Sequence, residues 1–156
     1  MDAVQQFENF HHELIGGRIT FVRLACDSLL LYVECKPGDG RGLTLWLEPP
    51  WHVSTPQRVV AGSRQAQGEG DDGPTEEELD RVSEPICLAI LDRPIAEIHV
   101  DERSRALAVT VEGGNCVRTF VSDPDDDHTW HISENATGLK VYASPSGLMV
   151  FDVQNR

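Results

Sequence analysis

The chain lacks most of the signatures by which catalytic sites are read from sequence. There is no G-x-S-x-G elbow for a serine nucleophile and no phosphate loop ending in GK[ST]. The glycines of residues 62–74 read as a linker, with no strand before them. Four cysteines, Cys26, Cys35, Cys87 and Cys116, show no C-x-x-C spacing, so the zinc-ribbon and dithiol redox patterns are missing. Each lies among apolar neighbours, as small buried thiols do. The longest nearly apolar run covers residues 29–33, far short of the roughly 20 residues needed to cross a bilayer. No basic stretch followed by an apolar one stands at the N-terminus, so no secretory signal is expected. Reduced thiols and a cytoplasmic location are the expectation. Basic residues are scarce: 13 Lys and Arg face 26 Asp and Glu, a formal charge of −13. A field of that sign repels phosphates and anionic lipid, which argues against nucleic acid and membrane as ligands. It suits solubility or a basic protein partner.

What the chain does have is repetition. Displaced by 76 residues, Phe10, Leu14 and Ile15 fall on Ile86, Ile90 and Leu91. Ile19 and Val22 fall on Ile95 and Ile98, and Leu31 and Val33 on Leu107 and Val109. A displacement of 79 brings Trp51-His52-Val53 onto Trp130-His131-Ile132. Each copy reads as an amphipathic helix, a tight turn and about three strands. Two copies suggest one pseudo-symmetric unit, since a solenoid needs three or more repeats to bury its faces. The 156 residues suit a single domain of pseudo-repeats 2–54 and 79–133.

Taken in order, residues 2–15 predict a helix with Asp2 as N-cap and Val4, Phe7, Phe10 and Leu14 at helical spacing. Strands follow at 19–24, 29–35 and 43–47, with Ile19 and Phe21 expected on one face and Val22 and Leu24 on the other. Pro37-Gly38-Asp39-Gly40 is turn chemistry. Pro49-Pro50 ends the third strand, and 51–53 predicts a short edge strand. Residues 62–74 contain one apolar side chain, Ala66, and predict a mobile linker. Thr75 and Glu78 form a capping box for a second helix, with a kink or break expected at Pro85. Strands are predicted at 95–100, 106–112 and 116–121, with a short extended piece at 130–133. A terminal hairpin follows over 139–153, turning at Ser144-Pro145-Ser146-Gly147. The sum is α+β, mostly antiparallel sheet covered by two helices.

Chemistry has few places to reside. Asp123, Asp125 and Asp127, with Glu134, stand at positions 1, 3, 5 and 12 of an EF-hand calcium loop. His128 occupies the position that wants glycine, and the flanks read as strands, so the aspartates read as turn-formers in a solvated loop. His128 and His131 form H-x-x-H, with His11 and His12 elsewhere, but in a strand their side chains would point to opposite faces. Trp51, His52, Trp130 and His131 are candidates to line a pocket between the copies; core-closing tryptophans are the simpler reading. No catalytic residue, cofactor or metal ligand is assigned.

The layout resembles a family of small bacterial proteins without an assigned function that carry a helix-Gly-x-x-aliphatic unit twice, a late tryptophan and a closing Pro-x-Gly hairpin. Here those features are residues 14–22 and 90–98, Trp130, and Pro145 with Gly147. The resemblance implies a fold and no catalytic residues. In type, a small acidic protein without an active-site motif is also similar to immunity proteins, which neutralise basic toxin domains through an acidic face. The expected function is a non-enzymatic protein-binding module, with Asp123, Asp125, Asp126 and Asp127 facing a basic partner. The alternatives are a small-ligand protein or enzyme with a pocket at the Trp-His pairs, and a metal-binding domain using the loop at 123–127.

Overall fold

The computed structural model describes residues 2–35 and 41–153; the turn expected at residues 37–40 lies outside them. Among the described residues the protein is α+β, with two helices and eleven strands in two antiparallel sheets. No described helix is long and apolar enough to cross a membrane.

Helix α1, Ala3–Leu14, begins where the Asp2 carboxylate accepts the Gln5 N–H at 2.9 Å. It buries Phe10 and Leu14 and stops where Ile15 turns extended and Gly16 takes φ +80°. Helix α2, Glu76–Ile90, starts with the expected capping box: Thr75 accepts from the Glu78 N–H and Glu78 accepts from the Thr75 N–H. The break expected near Pro85 is absent, and α2 is one helix. Proline forfeits one helical hydrogen bond, while Val82 before it and Ile86, Ala89 and Ile90 after it are all buried in the same core. Packing on both sides of the proline favours one continuous helix over two short ones.

The larger sheet runs in the order β1 (Arg18–Ala25), β2 (Ser28–Glu34), β3 (Gly42–Leu47), β9 (Trp130–Glu134), β10 (Lys140–Ser144), β11 (Gly147–Phe151). The smaller runs β5 (Val59–Gly62), β4 (Trp51–Ser54), β8 (Cys116–Thr119), β7 (Leu107–Val111), β6 (Ile95–Val100). Each sheet therefore holds a three-strand meander from one half of the chain and is continued by strands from the other half, β9 to β11 in the larger and β4 with β5 in the smaller. Strand β9 pairs with β3, Trp130 opposite Leu47; β4 pairs with β8, Trp51 opposite Thr119. The strand expected at 51–53 is thus not an edge, because β5 continues the sheet beyond it.

Strand β1 departs from simple alternation. A bulge between Ile19 and Phe21 places Ile19 and Val22, three apart, together in the core, and leaves Phe21 55% exposed. The expected split of Ile19 and Phe21 against Val22 and Leu24 fails for that reason. A matching bulge lies between Ile95 and Glu97, with Ile95 and Ile98 both buried. Between the bulged strands the backbone bonds come in pairs. Gly16 N–H donates to Ile95 C=O at 2.8 Å and Asp92 N–H to Ile19 C=O at 2.7 Å. Ile95 N–H donates to Gly17 C=O at 2.7 Å and Ile19 N–H to Arg93 C=O at 3.3 Å. Exchanging residues 16, 17 and 19 with 92, 93 and 95 turns each bond of a pair into the other.

The tryptophans behave alike. Trp51 Nε1–H donates to Asp27 C=O and Trp130 Nε1–H to Arg105 C=O, both at 2.7 Å. Each acceptor lies between the first two strands of a meander, and each ring is almost wholly buried. Segment 62–74 is no free tether. Gln65–Gln67 forms a 3-10 turn, Ala66 is fully buried, and Glu69 N–H donates to the Glu78 carboxylate at 2.9 Å. The single small apolar residue of that stretch is its anchor. One continuous cluster of buried side chains joins both sheets and both helices.

Replacing Trp51 or Trp130 by phenylalanine strands a turn carbonyl without its donor. Each substitution should cost roughly 1–3 kcal/mol, a loss read as a lower urea midpoint at unchanged slope.

Candidate functional site

Side chains alternate across the larger sheet. Leu29, Leu31, Leu43, Leu45, Trp130 and Ile132 face the core, so their neighbours face outward. Register then aligns one residue from every strand in a row on the outer face: Arg23, Leu30, Trp46, His131, Tyr142, Met149. The row begins and ends in solvent, Met149 being 60% exposed, but its centre is covered by its own aromatics. The His131 ring stacks on Trp46 (centroids 5.5 Å apart, planes at 17°) and lies 5.1 Å from Tyr142.

His128 completes the cluster. A straight strand would send it to the face opposite His131. Instead it precedes β9, and the chain bends at Thr129, whose N–H and hydroxyl both reach Ala143 C=O, at 2.8 and 3.2 Å. The bend brings His128 Nε2 within 2.9 Å of His131 Nδ1 and sets its ring edge-on to Tyr142. One imidazole must donate and the other accept, so the accepting ring is neutral in this contact. Burial first, then the positive neighbours His128 and Lys140, push His131 down to about 4. Burial also lowers His128, opposed in part by the nearby Glu48 carboxylate. Glu48 is itself fixed, accepting from Ser28 Oγ at 2.8 Å and Trp46 Nε1 at 2.5 Å.

The acidic loop sits beside this face. Asp125 N–H donates to Asp123 Oδ1 at 2.9 Å and Asp123 N–H to Asp126 Oδ2 at 3.3 Å, so the aspartates make local turns as expected. Asp125, Asp126 and Asp127 share a concavity of about 310 Å³ with Ser144, Ser146 and Met149, at the turn between β10 and β11. The calcium-loop pattern comes apart in space. Glu134 belongs to β9 and lies 3.4 Å from Arg41, which also meets Glu13 at 3.0 Å. Among the described residues no group of three or more His, Cys, Asp or Glu side chains is placed to hold a metal ion.

The pocket expected from Trp51, His52, Trp130 and His131 is not gathered by the fold. The tryptophans point into the core, and the histidines, one residue on, point out of different sheets. His52 packs against Phe120 at 4.8 Å, and its Nδ1 is buried without a hydrogen-bond partner among the described residues. Burial and the Arg118 charge both lower its pKa. Burial raises the pKa of Cys35 and Cys87 alike, which makes those two thiols poor nucleophiles, while Cys26 is exposed rather than buried as its neighbours suggested.

Gly68, Gly70 and Gly73 do fall at G-x-G-x-x-G spacing, and β5 precedes them, which reading the stretch as a linker passed over. The fold gives that spacing no dinucleotide role. Strand β5 belongs to an antiparallel sheet, and the N-terminus of α2 is already capped by Thr75. Glu78 accepts from Glu69 and Thr75 there, and those bonds hold its carboxyl below the usual range.

No family model, curated protein or solved structure matches the chain. The outer-face cluster therefore rests on its own geometry. Sequence alone places Trp46 on the face opposite Leu45; it gives no sign that Tyr142, His128 and Glu48 meet it, because β3 and β9 are far apart in the chain.

Both histidines of the pair have folded pKa values below the ordinary 6.5, so the unfolded chain binds more protons than the folded one between about pH 4 and 6.5. Stability should be complete above that window and fall as pH drops through it, His131 accounting for on the order of 3 kcal/mol. Denaturant titrations across pH should show this slope, and His131→Phe should flatten it.

Proposed function

We propose that the protein is a non-enzymatic binding module that presents the outer face of its larger sheet, with the acidic loop beside it, to a basic protein partner. The observation that carries this reading is the contiguity of the two features: the aromatic row ends at Met149, and Met149 lines the same concavity as Asp125, Asp126 and Asp127. Interfaces concentrate aromatics and methionine at their centre and charge at their rim. Carboxylates held at one edge of such a surface steer a basic partner and accelerate its encounter. The net charge of −13 acts in the same sense over the whole molecule. The hydrogen-bonded His pair and the fixed Glu48 hold the central rings in place, which lowers the entropy lost on docking. Action in the manner of immunity proteins, in the cytoplasm, fits this chemistry, as does membership of the duplicated family that the sequence resembles. The paired backbone bonds and paired tryptophans support one helix-and-meander unit written twice, its fourth strand exchanged between the copies.

Affinity capture at low and high salt tests the function, using the native chain beside the triple variant Asp125→Asn, Asp126→Asn, Asp127→Asn. A genuine partner should associate about tenfold more slowly with the variant at low salt, and this difference should vanish at high salt. A partner indifferent to both salt and variant removes the acidic face from the reading.

A further inference from the structure

Strand β11 ends the larger sheet, and although α1 packs against it, the strand itself lacks the charge, proline or bulge that commonly guards an edge. Its sequence, Gly-Leu-Met-Val-Phe, has no charge and no proline, and its five pairs with β10 run without a bulge. Parity fixes which backbone groups point outward. Leu139 C=O accepts from Glu134 on the β9 side, so the odd residues of β10 bond toward β9 and the even ones toward β11. Gly147 and Met149, opposite Ser144 and Tyr142, therefore close the hairpin, and Leu148 and Val150 turn their N–H and C=O groups away from it. Among the described residues, neither makes a backbone bond outside the hairpin. Val150 is 37% exposed and Met149 more so.

We infer that β11 is an acceptor edge, and that the basic partner of the proposed module docks by adding an extended segment alongside it. This inference rests on the reading of the acidic face given above. Charge complementarity selects the occupant. The carboxylates of Asp125, Asp126 and Asp127 stand at the turn end of β11, where they favour lysine or arginine in an incoming strand and oppose a second copy of this acidic chain. Arg105 is near the same turn, but its guanidinium is committed to Pro145 C=O at 2.7 Å. Backbone bonds to Leu148 and Val150 would supply the affinity. Apolar side chains at alternate positions, beside Met149, would supply the register.

The test is a titration of the full chain with a synthetic peptide alternating lysine and valine, followed by amide NMR and hydrogen exchange, with a glutamate–valine peptide as control. The expected result is a selective shift and slowed exchange of the Leu148 and Val150 amides with the lysine peptide alone. Val150→Pro removes an outward N–H while leaving the β10 ladder intact, and should weaken binding at least tenfold. Met149→Lys, which places a charge beside the edge without touching the backbone, should do the same and guards against misfolding of the proline variant. Binding that shifts Trp46 and the 123–127 loop but spares Leu148 and Val150, and survives both substitutions, overturns the edge and leaves the acidic-face reading standing. No binding at millimolar peptide overturns the edge as well; the capture experiment, which needs no peptide, still decides the acidic face. Self-association that Val150→Pro abolishes assigns the edge to a second copy and overturns the basic occupant.

Discussion

Two strands change sheets, and everything else in the molecule accommodates that exchange. Strand β4 leaves the meander that precedes it to pair with β8, and β9 leaves its own to pair with β3. Each crossing strand opens on a tryptophan whose indole N–H reaches back to the first hairpin of its own half of the chain, which lies in the other sheet, at Asp27 for Trp51 and Arg105 for Trp130. A large ring with one polar atom suits this position, since it fills the space between layers and satisfies a carbonyl that burial would otherwise leave unpaired. The four backbone bonds between residues 16–19 and 92–95 tie the two halves at a second place.

The exchange also makes the outer face. Trp46 and His131 come from strands more than eighty positions apart, and they stack only because β9 is delivered to β3 in a register that sets them opposite one another. Tyr142 follows from the hairpin beyond. A displacement of β9 by one residue would send Trp130 to solvent and His131 into the core, so the buried tryptophan fixes the register on which the histidine cluster depends.

Local signals in the sequence were reliable wherever local physics decides. Asp2 caps α1, Thr75 and Glu78 cap α2, and Pro145 with Gly147 turns the last hairpin. The fold class followed from alternation and turn chemistry. Long-range information was not legible in the same way. Ile19 and Val22, and again Ile95 and Ile98, stand three apart inside strands, a spacing that signals a bulge only once both are known to be buried. The continuity of α2 through Pro85 and the burial of Ala66 in the glycine-rich stretch share one reason that local propensity does not show: packing of the surrounding chain outweighs it. The meeting of His128 with His131 depended on a bend at Thr129 held by Ala143, a residue of another strand. The tryptophans and histidines were noticed as pairs, but strand alternation separates the members of each pair that adjacency in sequence joined.

Since neither sheet is complete without a strand from the other half of the chain, the connection over residues 69–73 carries little of the architecture. A protease that cut there would not liberate two miniature proteins. The fragments would stay clasped, each missing a rib that only the other possesses, and two separately made polypeptides ought to find one another and rebuild the whole.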